Sequence, residues 1–407
     1  MSEILLCNLA LLDPHAGELL SGYEVLLRDK EIVAVEKGTI HAPGAEVHDL
    51  GGRTLMPGLI DCHVHLNRTI LPTAPLMLPS LLTAHAGATL KGMLMRGFTT
   101  VRDAGGVDAG HRQAVEMGLF TGPRLFVSGR ALSQTGGHGD PRSPADLVNQ
   151  CACVHMEAGL GRIADGVPEV RKAVRDEIRL GADQIKIMAG GGIASQADFL
   201  EQLQYSMEEL VAIVDEATRS RTYVMAHVFV NDGIRRCIEA GVRTIEHGYF
   251  LDESTAKLMV QTGTFLSINL LTVQVIANGK PLGYTDASVA KAKEVLNRGA
   301  EAYQIALKAG VKVAFASDLS RAPERMAEEF LLRAEFSKPS DMIRSATVVG
   351  AEVVRMPGKI GVIAPGAFAD MLVVDGNPLE DIRLLTEQGR YMPMILKEGT
   401  VYKNTLS

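Results

Sequence analysis

The chain has no tryptophan, and its 8 tyrosines and 11 phenylalanines bring aromatics to only 5% of 407 residues. That scarcity leaves little for the base-stacking platforms of single-strand nucleic-acid binders or the aromatic belts of membrane proteins. An excess of one charge is lacking too: 41 Lys+Arg stand against 48 Asp+Glu, a formal net charge of −7, with no long basic run. Nucleic acid and anionic membranes are thereby excluded as main partners, and a small-molecule substrate is expected. No stretch approaches the roughly 18 apolar residues that span a bilayer, and Met1-Ser2-Glu3-Ile4 lacks the basic start of a secretory leader. The expectation is a cytoplasmic protein with no membrane association. Five cysteines (Cys7, Cys62, Cys151, Cys153, Cys237) are odd in number and scattered, as free thiols in a reducing compartment would be. Cys151-x-Cys153 is the one close pair, and its single intervening residue falls short of the spacing in most zinc-binding pairs.

What the chain does have is length and apolar residues, 46% hydrophobic against 22% charged, enough for a large core. Its 407 residues suit an α/β barrel of about 250 residues with a smaller unit beside it. Alternating apolar stretches at 4–12 and 23–35 open the chain, the second broken by Arg28-Asp29-Lys30 as a hairpin turn would break it. Beyond Gly51-Gly52 and Pro57-Gly58, short apolar runs alternate with longer amphipathic ones, the rhythm of βα units. Eight strands are predicted at 59–66, 98–103, 124–128, 184–188, 223–229, 244–249, 264–269 and 312–318. Helices are predicted at 81–96, 109–117, 169–180, 207–219, 232–240, 254–261, 288–309 and 323–336, several closed by Gly97, Gly181, Gly241, Gly263 or Gly310. The pattern is that of a (β/α)8 TIM-like barrel over residues 59–357. Strands return at 369–374 and 394–402, so residues 1–58 and 358–407 are expected to build a small β-sandwich from both chain ends. Residues 129–168 lack periodicity and exceed ordinary loop lengths, as functional loops do.

The chemistry begins at Leu59-Ile60-Asp61-Cys62-His63-Val64-His65-Leu66. Residues two apart on a strand share a face, so both imidazoles point one way near the C-terminal end of the first barrel strand, where active sites of this fold lie. One strand histidine is more often a structural core residue; two on one face bury two costly polar rings and point to a metal. Lys186 stands mid-strand in Gln184-Ile185-Lys186-Ile187-Met188. A buried ammonium has a depressed pKa, and the neutral amine reacts with carbon dioxide to give an anionic carbamate; pairing with a buried carboxylate is the structural alternative. His227, His247 and Asp318 each close an apolar run, on the fifth, sixth and eighth predicted strands. Singly each is weak, since Asp at a strand end often caps the next helix, but together they converge on one barrel rim. Either Asp61, favoured by strand parity, or Glu246 would orient an imidazole, while Asp103 also points toward the site with its role open.

These residues, the split ends and the stretch Pro57–His65 together resemble the amidohydrolase superfamily over nearly the whole length. The resemblance implies two divalent metal ions, zinc by preference, held by His63, His65, a carboxylated Lys186, His227, His247 and Asp318 and bridged by Lys186 and a hydroxide. Gly136-Gly137-His138-Gly139, Ala164-Asp165-Gly166-Val167 and the Gly190-Gly191-Gly192 run after Lys186 are similar to the prolidase-like group. That likeness implies cleavage of Xaa-Pro dipeptides or N-acyl amino acids at the C-terminal residue. In it the metal-activated hydroxide attacks, Asp318 shuttles the proton, and His138 stabilises the oxyanion. Gly191, Gly192 and Ile193 are expected to offer backbone N–H groups to the substrate carboxylate, with Phe229, Tyr249 and Arg321 lining the rim. A homo-oligomer is also implied. A cyclic-amide or imidazolone-type hydrolase, a deaminase on the same scaffold, or a non-catalytic assembly protein are the alternatives.

Overall fold

The computed structural model describes residues 3–66, 78–140, 142, 160–195, 198–279 and 282–406. Cys151 and Cys153, with residues 141 and 143–159 of the aperiodic stretch, lie outside the described residues. The N-terminal strands are β1 (Glu3–Asp13), β2 (Glu18–Arg28), β3 (Glu31–Lys37), β4 (Glu46–Asp49) and β5 (Thr54–Pro57). Next come β6 (Leu59–Val64), β7 (Phe98–Asp103), β8 (Arg124–Phe126), β9 (Ala131–Ser133), β10 (Gly161–Ile163), β11 (Ile185–Met188), β12 (Val224–Val228), β13 (Thr244–His247) and β14 (Phe265–Ser267). The chain closes with β15 (Met371–Val374), β16 (Met394–Lys397) and β17 (Thr400–Asn404).

Strands from both ends share one mixed eight-stranded sheet in the order β17-β16-β15-β5-β1-β2-β3, with β4 added on β1. The expected sandwich is here one hydrogen-bonded sheet, because β5 pairs with β1 on one side and β15 on the other. Its alternation divides the side chains between two cores. Met371, Val373, Met394 and Leu396 pack with Leu6, Val25 and Leu55, whereas Leu372, Val374 and Ile395 pack with Leu59, Leu90 and Phe98 of the central region.

The central region holds two parallel sheets, β6-β7-β8 and β10-β9-β11-β12-β13-β14. The eighth predicted strand, residues 312–318, forms no regular ladder and makes one isolated bridge, Val313 to Leu266. It still runs between the two sheets, since Ala314 N–H donates to Leu266, Cys62 N–H to Phe315 and Asp318 N–H to the His63 carbonyl. The ladder is broken because Phe315 N–H turns to the Ser345 carbonyl and Ser317 N–H to the Asp61 carboxylate. Strands β9 and β10 lie in the stretch that showed no periodicity, being three residues each, too short to alternate visibly.

Helices follow most of these strands: α1 (Pro79–Met95), α2 (Ala109–Glu116), α3 (Gly166–Arg179), α4 (Met207–Arg219), α5 (Asn231–Ala240), α6 (Glu253–Thr262), α7 (Leu271–Ala277), α8 (Asp286–Val295) and α9 (Arg298–Ala309). After residues 312–318 come α10 (Glu329–Arg333), α11 (Pro339–Ser345) and α12 (Val348–Val353). The five predicted terminating glycines all adopt φ between +72° and +93°, which costs a side-chain-free residue little. One predicted helix, 288–309, is instead two, α8 and α9, broken at Leu296 and Asn297. Gly299 in the first turn of α9 lies against Tyr249, where a Cβ would stand 2.6 Å from Cε1. No helix among the described residues is long and apolar enough to cross a membrane.

Candidate active site

Both histidines of β6 reach one point. His63 Nε2 and His65 Nε2 lie 3.3 Å apart, and Asp318 Oδ1 is 3.6 Å from the first and 3.4 Å from the second. The far edge of each ring is already committed. His63 Nδ1 faces Glu246 Oε2 at 2.7 Å, and His65 Nδ1 faces the Gly105 carbonyl at 2.9 Å. A carboxylate or carbonyl only accepts, so each Nδ1 carries the proton and the neutral ring turns a lone pair at Nε2 toward its neighbour. The result is a cluster of acceptors facing one another and a carboxylate, an arrangement that is favourable around a cation. Burial, reinforced by the charge of Lys186, holds His63 well below the ordinary histidine range, which keeps it a neutral ligand.

His247 joins this cluster from β13, its ligand atom grouped with those of His63 and Asp318 within 4.8 Å. Burial lowers it to about 3. The ring of His227, from β12, stands 4.5 Å from that of His247, and its Nε2 faces the Gly191 carbonyl at 3.2 Å, leaving Nδ1 for a ligand. Lys186 is buried in β11, in register beside Met225 one strand away. Burial pulls its amine down to about 8, and its charge acts on His63, His227 and His247 alike. The structure therefore brings all six expected ligand residues to one region.

Two of these candidate ligands have unusual backbones: His247 has φ +73° and Asp318 φ +50°. Such conformations cost an L-residue energy and concentrate at functional sites. At His247 the turn breaks strand alternation, so that Glu246 and His247 both contact His63, whose ring is 5.1 Å from that of His247. This overturns the parity argument that favoured Asp61. Asp61 Oδ1 accepts N–H groups of His63 and Ser317, fixing backbone, while Glu246 orients the imidazole. Glu246 is itself paired with Arg102, which is fully buried, at 2.9 Å. The open role of Asp103 is likewise with backbone: it accepts from Leu66 and Gly105, the residue whose carbonyl meets His65, and burial pushes its carboxyl up to about 7.

His138 lies flat on His227, ring centroids 4.2 Å apart and planes 11° from parallel, with Nδ1 2.9 Å from Asp198 Oδ2. The glycine run beneath it does not form the anion nest expected from the sequence. Gly191 N–H donates to Gln202 and Gly192 N–H to Asp198, so neither is available to a substrate carboxylate. These glycines are needed instead for closeness: a Cβ at Gly192 would stand 2.3 Å from His138 Cε1, and one at Gly191 1.6 Å from the Phe199 carbonyl oxygen. Ile193 follows them, buried. Phe229 stacks on His247 at 5.1 Å, supporting a ligand ring. Tyr249 donates its hydroxyl to the Asn269 carbonyl, and Arg321 donates to Leu282 and lies over the Tyr284 ring, so the polar ends of both are spent on packing. Residues that the sequence reading did not single out are Arg102 as partner of Glu246, Asn269 beside His247, Asp198, and Lys291.

The amidohydrolase family model matches residues 54–398, which contain all six expected ligand residues. The chain belongs to the amidohydrolase family. As a member it is a hydrolase of amide or peptide C–N bonds. It is 32% identical to ochratoxinase of Aspergillus niger over 99% of this chain and 87% of that protein. A prolidase solved with N-methylphosphonate-L-proline superposes with TM-score 0.95 at 45% identity, covering 99% of this chain and 100% of that one. A Xaa-Pro dipeptidase with bound methionine superposes with TM-score 0.90 at 29% identity, again over 99% of this chain and 100% of that one.

Proposed function

We propose that the chain is a zinc-dependent amidohydrolase that cleaves the C-terminal amide bond of dipeptides of the Xaa-Pro type or of N-acyl amino acids. One observation carries the reading: the acceptor atoms of His63, His65 and Asp318 face one another across 3.3–3.6 Å with the outer edges of both imidazoles already bonded. The likeness to a prolidase, a Xaa-Pro dipeptidase and ochratoxinase supports the substrate class. In this reading residues 59–357 are one (β/α)8 hydrolase barrel, and 1–58 with 358–407 a second unit.

Two divalent ions would be held by His63, His65, His227, His247, Asp318 and a carboxylated Lys186. When bound, such ions activate water near neutral pH and polarise a carbonyl. The chain's own part is to position and to move protons. Asp318 takes the proton of the attacking water on a carboxylate oxygen and delivers it to the amide nitrogen as the C–N bond breaks. His138, fixed by Asp198, stands ready beside His227 to meet charge developing on the carbonyl oxygen. Lys186, its amine lowered by burial, is suited to take up carbon dioxide with release of a proton. Ile193 and Phe229 supply apolar wall to the substrate side chain.

A library of dipeptides and N-acyl amino acids, assayed with zinc and after chelation, tests the proposal. Turnover of Xaa-Pro or N-acyl substrates that is lost on chelation is expected. Turnover confined to cyclic amides or aminated heterocycles overturns the substrate class, and a folded protein that binds no divalent metal overturns the mechanism.

A further inference from the structure

We infer that Lys291 and Asp198 are positioning residues that lock His138 against the ligand ring of His227, an inference that rests on the role given to His138 above. Lys291 projects from α8, nearly a hundred positions along the chain from the loop it meets. Its Nζ donates to three backbone carbonyls of that loop: Gly192 at 3.1 Å, Ser195 at 2.9 Å and Asp198 at 2.6 Å. An ammonium has three N–H bonds, so all three are spent, with Asp198 Oδ1 completing the shell at 3.4 Å. This lysine stands near the site yet has no proton left for a substrate carboxylate. Its work is geometric.

Asp198 carries that geometry to the ring. Its side chain is fully buried, and Oδ2 accepts from His138 Nδ1 at 2.9 Å, from Gly192 N–H at 3.2 Å and from Gln204 Nε2 at 3.4 Å. A carboxylate accepts only, so it keeps a proton on His138 Nδ1 and fixes the ring plane; the Nε2–H that would meet an oxyanion belongs to the ring protonated at both nitrogens. The space around the ring is filled. His138 lies 4.2 Å above His227, and Gly192 is close enough that an added Cβ would overlap both rings. With no slack at the ring, the positions of Gly192 and Asp198 set the position of His138. Lys291 is the side chain that ties three points of that backbone to α8.

A double-mutant cycle separates this role from general support of the fold. Lys291→Met and Asp198→Asn are each expected to lower kcat by about 10-fold or more, as displacement of a reacting group by a fraction of an ångström does. KM and metal content should change little. Lys291→Met combined with His138→Ala should be no slower than His138→Ala alone, because both remove one function. Lys291→Arg, which keeps the charge and several donors, should restore part of the loss. Wild-type kcat in both Lys291→Met and Asp198→Asn, or a double variant slowed by the product of the single effects, overturns the inference. Should His138→Ala itself be without effect, the role of His138 fails, a distinct result. If Lys291→Met does not fold, the same cycle run with Asp198→Asn decides the question.

Discussion

Replacing Gly192 with alanine adds one methyl group at the most crowded point of the site. Its φ lies outside the left-handed region, so alanine is allowed by the backbone and the perturbation is steric alone. The new Cβ would stand 2.3 Å from His138 Cε1, 2.7 Å from His138 Nδ1 and 2.6 Å from His227 Nε2. Carbon contacts settle near 3.5–4.0 Å, so one or both rings must retreat by roughly 1 Å. His138 is tied at its far edge to Asp198, and His227 faces the Gly191 carbonyl, so neither recoils without losing a hydrogen bond. A misplacement of about 1 Å at a reacting group costs on the order of 100-fold. The expected outcome is a kcat/KM near one hundredth of wild type with a melting temperature lowered by only a few degrees. Metal content, read by elemental analysis of the same samples, tells which ring moved: retained metal assigns the loss to His138, and depleted metal assigns it to His227. Wild-type kcat/KM together with wild-type metal content would refute the crowding argument.

Arg102→Met strands the buried Glu246 carboxylate, and breaking such a pair costs about 3–5 kcal/mol, measured as a shift in the chemical unfolding midpoint. Adding Glu246→Leu should recover stability but not metal binding, since His63 Nδ1 has lost its acceptor; an unchanged midpoint in Arg102→Met would count against the pair. Chelation should abolish turnover and lower the melting temperature, with zinc restoring both, because an ion that binds only the folded state stabilises it. Lys186→Ala should cut metal content below wild type, and full occupancy in that variant would remove the lysine from the ligand set. Glu216, between Arg175 and Arg171, is pushed down to about 2 from 4.5 chiefly by its hydrogen bonds to Arg175. A carboxylate lowered in the folded state stabilises it above its unfolded pKa, and that contribution fades as pH falls from about 5 toward 2. Glu216→Gln should therefore cost about 1–2 kcal/mol at pH 7, after allowance for the exposed Arg175, and the gap to wild type should narrow below about pH 5 and close only near pH 2; a gap independent of pH would contradict the assignment.

The candidate ligands were legible because they obey strand arithmetic. His63 and His65 sit two apart, Lys186 interrupts an apolar run, and His227 and Asp318 close theirs, so sequence position translated into direction. Arithmetic failed where the backbone left the strand. With φ +73° at His247, neighbouring residues 246 and 247 turn to the same side, and the acidic partner of His63 came from a position that alternation sends elsewhere. The eighth strand failed for a related reason, its N–H groups being drawn off by Ser345 and Asp61. Lys291 and Asp198 gave no sequence signal at all. One is a lysine on a helix, the other an aspartate in a loop, and only folding brings them within 3.4 Å.

The same small device occurs twice around this centre. Arg102 pairs with Glu246, which holds His63; Lys291 pairs with Asp198, which holds His138. In each a cation offsets a buried carboxylate, and at His63 this matters because a lone buried carboxylate would draw the imidazole toward the protonated form. For His63 the balance is visible: burial leads, the charge of Arg102 adds to it, and the ring stays neutral with its lone pair facing Asp318. The two cations differ in how they are fixed. Arg102 is locked among strands, donating also to the Cys62 carbonyl, Thr244 and Ser267, so His63 is bound to the most rigid part of the fold. Lys291 binds a loop to a helix, so His138 is held through one side chain and not through a sheet. A metal ligand would be held by the first kind of support and a group placed to meet charge on a carbonyl oxygen by the second. Substitutions in the Arg102 network should therefore register first in stability and metal retention, and those in the Lys291 network first in kcat.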